Sequence, residues 1–463
     1  MVRRPNAYRR LLGVRLDRQV PMAVIGVLVV LWCYGVYESH WGAAGEWDGY
    51  ISEELTLVYH DRNLQVVDEL AGWPEWIGTV LWFGGRSDEL EAARASLLVL
   101  HETGNLGVSG GSALAVICAE LGEEPPEGVG CDWLVAELLD GGPASPEALA
   151  ALERLVANGG AWWWEVALAR QRVATGELSG EVLLAEDAAA RSLFWRHVVS
   201  NGCSWALVVA GLLLIPRAWR TLGSGGVNWD RAVVRSYPWR WGLLLVVLVF
   251  VGADLGSRWL VEFGYTHVAT EESGFLFDVL MDLGWRMAAP AIALLVLFRR
   301  PRHALRTLRL DGPAAWPVVL AMFALLYVGD IGFGYALGWL EVDDPLDPTG
   351  GLDAMEVGWA GLGFGLLSAC VAAPLGEEIM CRGILLRGLE RHLRFFGAAA
   401  VVALVFALGH DYGAAGLVSV GIFGFAAAIV YRVTHSLKAT ILLHGLYNLS
   451  ITLPGWWIYH GNI

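Results

Sequence analysis

Long apolar runs separated by short polar segments make up most of the chain. An α-helix needs about 20 apolar residues to cross the hydrocarbon core of a bilayer, and the runs have about that length. One run covers residues 20–37. We predict eight more spans at about 198–215, 241–263, 283–298, 314–340, 358–385, 397–412, 414–431 and 438–455. The predicted fold class is therefore all-α, a polytopic helical membrane protein with about nine transmembrane helices.

Residues 38–196 break this pattern because they are largely polar. Helical periodicity covers residues 87–100 and 145–157, and clusters of Gly and Pro mark turns around them. We therefore predict a mainly helical, water-exposed domain. Within it, the run Trp162-Trp163-Trp164 fits either a membrane interface or a hydrophobic core, since an indole ring has an apolar body and a polar N–H.

The loops between the predicted spans alternate in sign. Arginines follow the second, fourth and sixth spans, whereas Asp and Glu follow the third and fifth. Because arginine-rich loops stay in the cytoplasm, this alternation predicts a cytoplasmic N-terminus, an extracytoplasmic location for residues 38–196 and an outward C-terminus. Arginines before residue 20 and no clean small-residue cleavage site after residue 37 predict an uncleaved signal anchor.

Composition supports a membrane location. Hydrophobic residues make up 56% and charged residues 17% of the chain, whereas a soluble domain is about a quarter charged. The net charge of −15 arises in residues 38–196, and the remainder is slightly basic. The sequence lacks a basic face with interleaved aromatic residues, which argues against a nucleic-acid partner.

The six cysteines form no CxxC pair, so the sequence contains neither a zinc ribbon nor a redox dithiol. Cys118 and Cys131 lie in the same predicted extracytoplasmic domain. A disulfide between them is one alternative there, since such compartments are oxidising. Free thiols are the other.

Ionisable residues inside a membrane are costly and therefore indicate function. Glu378 and Arg382 are four residues apart on one predicted helix, so they share a face and can form an ion pair. Glu377 points about 100° away from Glu378. We therefore predict that Glu377 is the catalytic carboxylate and that Glu378 and Arg382 support it. The alternative is an ordinary acidic pair at the start of a helix near the cytoplasmic interface.

Two further motifs follow on later spans. Glu377 and His410 lie at similar distances along the chain from the turn near residue 394, which predicts the same depth for both in a helical hairpin. Phe406, one turn before His410, would hold its ring. His444 and Asn448 are four apart and share a face, but counting from Lys438 places His444 nearer the cytoplasmic surface than His410. The alternatives are an interfacial His410 and a purely structural His444–Asn448 pair.

These motifs, EExxxR at Glu377-Glu378…Arg382, FxxxH at Phe406…His410 and HxxxN at His444…Asn448, resemble the CAAX prenyl endopeptidase and bacteriocin-processing (CPBP) family of intramembrane proteases. The resemblance covers about residues 315–455. It implies a peptidase in which Glu377 and His410 activate water, and His444 and Asn448 hold the water, a metal ion or the developing oxyanion. Two mechanisms stay open, a metalloprotease with zinc held by Glu377, His410 and His444, and a metal-independent mechanism driven by glutamate.

Together with the resemblance, these patterns predict five segments of the chain. They are a basic cytoplasmic N-terminus with the signal-anchor helix (1–37), the acidic extracytoplasmic domain (38–196), membrane helices of unassigned role (197–313), an intramembrane protease-like domain (314–455) and a C-terminal tail (456–463).

The leading hypothesis is an intramembrane endopeptidase that cleaves a membrane-associated peptide or protein, with the lipid bilayer as its other partner. The sequence has neither HExxH nor GxSxG, which argues against a zincin helix and a serine nucleophile. A non-catalytic scaffold or bacteriocin-immunity-type protein would keep the polar cluster for packing. A proton-coupled transporter would use it as a relay, but no inverted repeat supports that function. The sequence does not indicate the substrate or the oligomeric state.

Overall fold

A computed structural model describes residues 30, 32, 53–70, 73–74, 77–78, 81, 83–129, 144–157, 161–174, 188–224, 243–268, 274–298, 304, 306–340, 358–390, 393–410 and 412–459. Every regular element within these ranges is helical, which confirms the all-α class. The helices that matter below are α1 (Glu53–Leu70), α2 (Arg86–Glu102), α3 (Val108–Leu121), α4 (Pro146–Ala157), α5 (Trp162–Ala174), α6 (Ala188–Ser224), α7 (Leu243–His267), α8 (Phe275–Leu297), α9 (Trp316–Trp339), α10 (Gly358–Leu389), α11 (Phe395–Leu408), α12 (Ala414–Thr434) and α13 (Leu437–Tyr459).

The chain divides into two compact units. The membrane unit comprises Met1–Ala43, Ser204–Leu346 and Trp359–Leu453, and the polar unit comprises Ala44–Cys203, Asp347–Gly358 and Pro454–Ile463. Five described helices are long and apolar enough to cross a bilayer, within α6, α8, α9, α10 and α12. The chain is therefore an integral membrane protein with several spans.

The predicted count of nine spans is only partly supported. Helix α7 lies at a predicted span but carries Asp254, Arg258 and Glu262, and α11 has only 14 residues. Helix α13 contains the polar motif residues, which lower its hydropathy. Of residues 20–37 the structure describes Val30 and Trp32, both helical. The remaining spans therefore stay predictions.

Helix α10 is continuous but not uniformly α-helical. Segments of π-helix cover Ser368–Ala372 and Ile379–Leu386, and a short α-helical turn, Ala373–Glu378, separates them. Pro374 lies in that turn and removes one backbone donor, which the widened turn before it accommodates. The residues around Pro374 and Gly376 thus continue one helix, with π segments of the kind that often occur at functional sites.

The polar unit has its own hydrophobic core, built by α1 to α5. Helices α2 and α4 confirm the periodicity predicted over 87–100 and 145–157. Trp162 and Trp163 are 0% and 5% exposed within this core, so the tryptophan run is a core element. Cys118 is buried in α3, whereas Cys131 lies outside the described residues, so the disulfide stays a prediction. The extracytoplasmic location of this unit also stays a prediction.

Candidate active site

Three helices of the membrane unit bring the motif residues together. Helix α10 carries both glutamates and Arg382, the end of α11 carries Phe406 and His410, and α13 carries His444. These polar side chains come from positions up to 67 residues apart in sequence, and each helix buries its apolar faces in one common core. The packing of that core therefore fixes the geometry of the site.

Glu378 and Arg382 form the buried base of the site. Both side chains are 0% exposed, and an Nη1–Oε1 distance of 2.7 Å joins them, as the four-residue spacing predicts. Arg382 also donates through Nη2 to the Gly424 carbonyl at 2.8 Å and lies 4.6 Å from the centre of the Phe406 ring. Arg382 thus ties α10 to α11 and α12, and its guanidinium group forms an ion pair with Glu378.

His444 lies against this ion pair. Its Nδ1 is 3.2 Å from Glu378 Oε1, and its Nε2 is 3.8 Å from Glu377 Oε2. The prediction that His444 lies too shallow is therefore wrong. Counting assumed that α13 starts at the membrane surface, but Leu437 and Thr440 are fully buried and the Leu437 N–H donates to the Arg309 carbonyl. Helix α13 begins inside the bundle, so His444 reaches the level of Glu377.

His410 also lies beside Glu377. It lies just beyond the end of α11 at Leu408, although the sequence predicts a span up to residue 412. Its Nδ1 is 2.7 Å from the Phe406 carbonyl, and its Nε2 is 3.8 Å from Glu377 Oε2. The Phe406 ring lies 4.7 Å from the imidazole centre. The predicted role of Phe406 as a support for this ring agrees with that contact.

The partners of the two rings define their protonation. The Phe406 carbonyl only accepts hydrogen bonds, so Nδ1 of His410 carries the proton there. Nδ1 of His444 likewise donates to the Glu378 carboxylate. Both Nε2 atoms therefore face Glu377 Oε2 at 3.8 Å, a separation that a water molecule can bridge.

Asn448 is not part of this group. Its Nδ2 donates to the Ala369 carbonyl in the first π segment at 2.6 Å, and no hydrogen bond joins it to Glu377, His410 or His444 among the described residues. Gly445 explains how close α13 comes to that segment, because a Cβ atom at this position would lie 2.6 Å from the Cys370 carbonyl oxygen. Asn448 therefore anchors α13 to the backbone of α10.

A cavity of about 150 Å³ opens beside Glu377 and His410. Its walls include Arg258 of α7 and Arg286 of α8, which the motif analysis missed. Both positions fall inside predicted spans, where an arginine is itself a sign of function. That signal was present in the sequence, but only the structure shows that both residues lie beside Glu377.

The donor types of Glu377, His410 and His444 suit zinc, but their spacing does not. Neighbouring ligands around a tetrahedral zinc ion lie about 3.3 Å apart, whereas Glu377 Oε2 is 3.8 Å from each imidazole nitrogen. Among the described residues no group of three donors is arranged to hold a metal ion. Zinc therefore stays a prediction.

Comparison with known proteins agrees with the motifs. Residues 359–450, about a fifth of the chain, match a protein-family model described as type II CAAX prenyl endopeptidase Rce1-like. This segment contains all three motifs and is shorter than the range of 315–455 expected from them. No curated protein and no solved structure matches the chain. The family resemblance is thus confirmed for the segment that carries the site.

Proposed function

We propose that this protein is an intramembrane endopeptidase in which Glu377 activates the attacking water. The observation that carries the proposal is the convergence of Glu377 Oε2 with the Nε2 atoms of His410 and His444 at 3.8 Å, beside a cavity. The family match of residues 359–450 supports the same activity. A membrane-associated peptide is the substrate class, and a prenylated tail of the CAAX type is the first candidate.

Glu377 acts as the general base. Its Oε2 is buried and has no hydrogen-bond partner among the described residues, so it is available to a water between the carboxylate and the two imidazoles. In its neutral form His410 accepts one hydrogen of that water through Nε2, and Glu377 accepts the other and removes it. The resulting hydroxide adds to the scissile carbonyl carbon, and Glu377 then passes the proton to the leaving amine.

His444 stabilises the oxyanion. Its contact with Glu378, which Arg382 holds in place, orients the ring so that Nε2, when it carries a proton, donates to the negative oxygen of the tetrahedral intermediate. Asn448 contributes indirectly, because its bond to Ala369 fixes α13 and hence His444. The family resemblance implies that Asn448 itself holds the water, a metal ion or the oxyanion. In this proposal Asn448 instead positions α13.

The loop charges set the proposed orientation, with a cytoplasmic N-terminus and the polar unit outside. Glu377 lies 32% exposed within a described membrane helix, so the scissile bond would reach it from within the bilayer or near its cytoplasmic face. The polar unit lies outside the matched family segment, and it is the part of the chain that could add a second level of substrate choice.

Cleavage of a farnesylated CAAX peptide by the purified full-length protein tests the proposal. We expect Glu377→Gln and His410→Ala to reduce kcat/KM by about 10²–10⁴-fold, the usual contribution of a general acid–base group, while the melting temperature stays within a few degrees. Glu262→Gln is the matched control, because Glu262 is an exposed carboxylate on α7 outside the cavity.

Retention of full activity in Glu377→Gln contradicts the assignment. A large fall in melting temperature without a specific loss of activity would instead support a packing role for the cluster. Chelator treatment of the wild-type protein, followed by metal analysis, decides separately whether zinc is required.

A further inference from the structure

Charged and aromatic side chains line the cavity beside Glu377. Attack of an activated water on a peptide bond does not require them. Arg258 and Arg286 reach the cavity from two neighbouring helices, α7 and α8, and Trp285 is one of its aromatic walls. Each guanidinium group is paired through Nε with one aspartate of its own helix, so its terminal nitrogens can bind an anionic ligand in the cavity.

The backbone of Arg286 packs against α10 next to Glu377. A Cβ atom at Gly376, the residue before Glu377, would lie 2.5 Å from the Arg286 carbonyl oxygen. Helices α8 and α10 therefore touch at this pair of residues. Below that contact, Nε of Arg286 donates to Asp282 at 3.0 Å, and Ser368 of α10 donates to the same carboxylate. These contacts tie Arg286 and its helix to α10 beside Glu377.

The bond to Asp282 leaves the guanidinium able to bind a ligand. Only Nε of Arg286 is engaged with Asp282, and no other hydrogen bond of this side chain occurs among the described residues. Asp282 itself does not line the cavity. The side chain is 29% exposed, so its terminal nitrogens can present the fork that binds a carboxylate through two hydrogen bonds.

Arg258 is arranged in a similar way on α7. Its Nε bonds Asp254 at 3.1 Å, and its guanidinium carbon lies 5.5 Å from the centre of the Trp285 ring. The cavity also contains the carboxylates of Asp254 and Glu377, so the lining is balanced in charge. A ligand carboxylate is therefore favourable only at the two arginines and is repelled from the position of Glu377.

We infer that this cavity receives the C-terminal end of the peptide substrate. The terminal carboxylate binds mainly to Arg286 and additionally to Arg258. The inference rests on the proposed function and goes beyond it by assigning the group that selects the cleavage position. A volume of about 150 Å³ is close to that of a cavity that holds one benzene ring, so it accommodates the last residue rather than a long chain.

The test compares two forms of one farnesylated CAAX peptide, the free acid and the C-terminal carboxamide, with the full-length protein in detergent. Since hydrogen bonds to charged groups contribute about 1.5–3 kcal/mol, we expect kcat/KM for the acid to exceed that for the amide by about 10- to 100-fold. Arg286→Gln should bring this ratio to within about threefold of one. Arg286→Lys, which keeps the charge but loses the fork, should give an intermediate ratio.

The ratio is insensitive to folding, because a poorly folded variant loses activity toward both peptides equally. Arg306→Gln is the matched control, since Arg306 is exposed and does not line the cavity, and it should keep the wild-type ratio. A wild-type ratio near one overturns the inference even if Glu377→Gln is inactive. If Glu377→Gln is fully active, the proposed function fails separately.

Binding gives a readout that needs no turnover. The Glu377→Gln protein should bind the acid at least 10-fold more tightly than the amide, and the further change Arg286→Gln should remove that difference. Equal affinities overturn the inference. Nanodiscs with and without phosphatidylglycerol test the other source of an oxyanion. Loss of the acid preference only when this lipid is present would assign the arginines to a headgroup phosphate and overturn the peptide assignment.

Discussion

One acidic side chain of each unit, Asp61 in the polar unit and Glu377 in the membrane unit, differs in its hydrogen bonding. In the polar unit Asp61 accepts a hydrogen bond from the Trp162 backbone N–H at 2.5 Å and another from Gln65. In the membrane unit Oε2 of Glu377 is buried without a hydrogen-bond partner among the described residues. An unsatisfied buried polar group costs about 1–3 kcal/mol. Asp61 therefore belongs to the architecture of the polar unit. Glu377, whose unsatisfied oxygen accompanies a position beside the cavity, is the candidate for chemistry.

Two neighbouring glutamates of the site differ in their surroundings. Glu378 is fully buried and paired with Arg382, whereas Glu377 is 32% exposed and faces the cavity. One residue of separation on a helix is enough to place two identical side chains in opposite environments, since it rotates the side chain by about 100°.

The largest effects should come from separating these two glutamates. We expect Glu378→Gln to destabilise the protein by about 3–5 kcal/mol, because Arg382 would be left as an uncompensated buried charge. Glu377→Gln should leave stability nearly unchanged while removing activity. Thermal unfolding in detergent, measured beside peptide cleavage, checks both. The double variant Glu378→Gln/Arg382→Met should recover much of the stability. Equal destabilisation by the two single changes would remove the contrast.

The buried polar groups of the polar unit that have no hydrogen-bond partner among the described residues include His60, and pH should reveal its effect. Neither ring nitrogen of His60 has a hydrogen-bond partner among the described residues, and burial lowers the pKa of His60 from 6.5 to about 4. The unfolded chain therefore binds a proton more readily than the folded chain between pH 6.5 and 4. The contribution of His60 is fully present above pH 6.5, and at most about 3 kcal/mol is lost as the pH falls to 4.

His60→Leu should flatten this part of the pH dependence. Asp61 acts in the opposite direction, since burial raises the pKa of its carboxyl and a protonated acid is then favoured in the folded unit. Hydrogen exchange of α1 at pH 4 to 7 in both proteins measures the difference. The same loss of protection in wild type and variant would contradict the role of His60.

A smaller effect should follow from changes at glycine contacts beside the site. A Cβ atom at Gly445 would lie 2.6 Å from the Cys370 carbonyl oxygen, so Gly445→Ala must push α13 away from α10. We expect a destabilisation of about 1–3 kcal/mol with a fall in kcat, since His444 moves with its helix. Gly397→Ala, where the nearest atom lies at 3.7 Å, is the control that should change neither quantity.

Local sequence patterns predicted most of the helices. They also predicted the ion pair between Glu378 and Arg382, which lie on one helix. The spacing of Glu378 and Arg382 was sufficient because both lie on α10, and α12 occupies 414–434 where a span at 414–431 was expected. The depth of His444 was wrong because it depends on where α13 starts inside the bundle. Arg286 was missed because its proximity to Glu377 is set by α8 packing on Gly376, a contact between distant segments that periodicity cannot show.

The two π-helical segments of α10 have a mechanical consequence for the catalytic turn. A π turn holds one residue more than an α turn, so each segment shifts the angular phase of the helix that follows it. Glu377 and Glu378 lie in the six residues between Ser368–Ala372 and Ile379–Leu386. The two π segments therefore set the direction of both glutamates relative to each end of α10. A change that removed one π segment would rotate the two glutamates relative to one end of the helix.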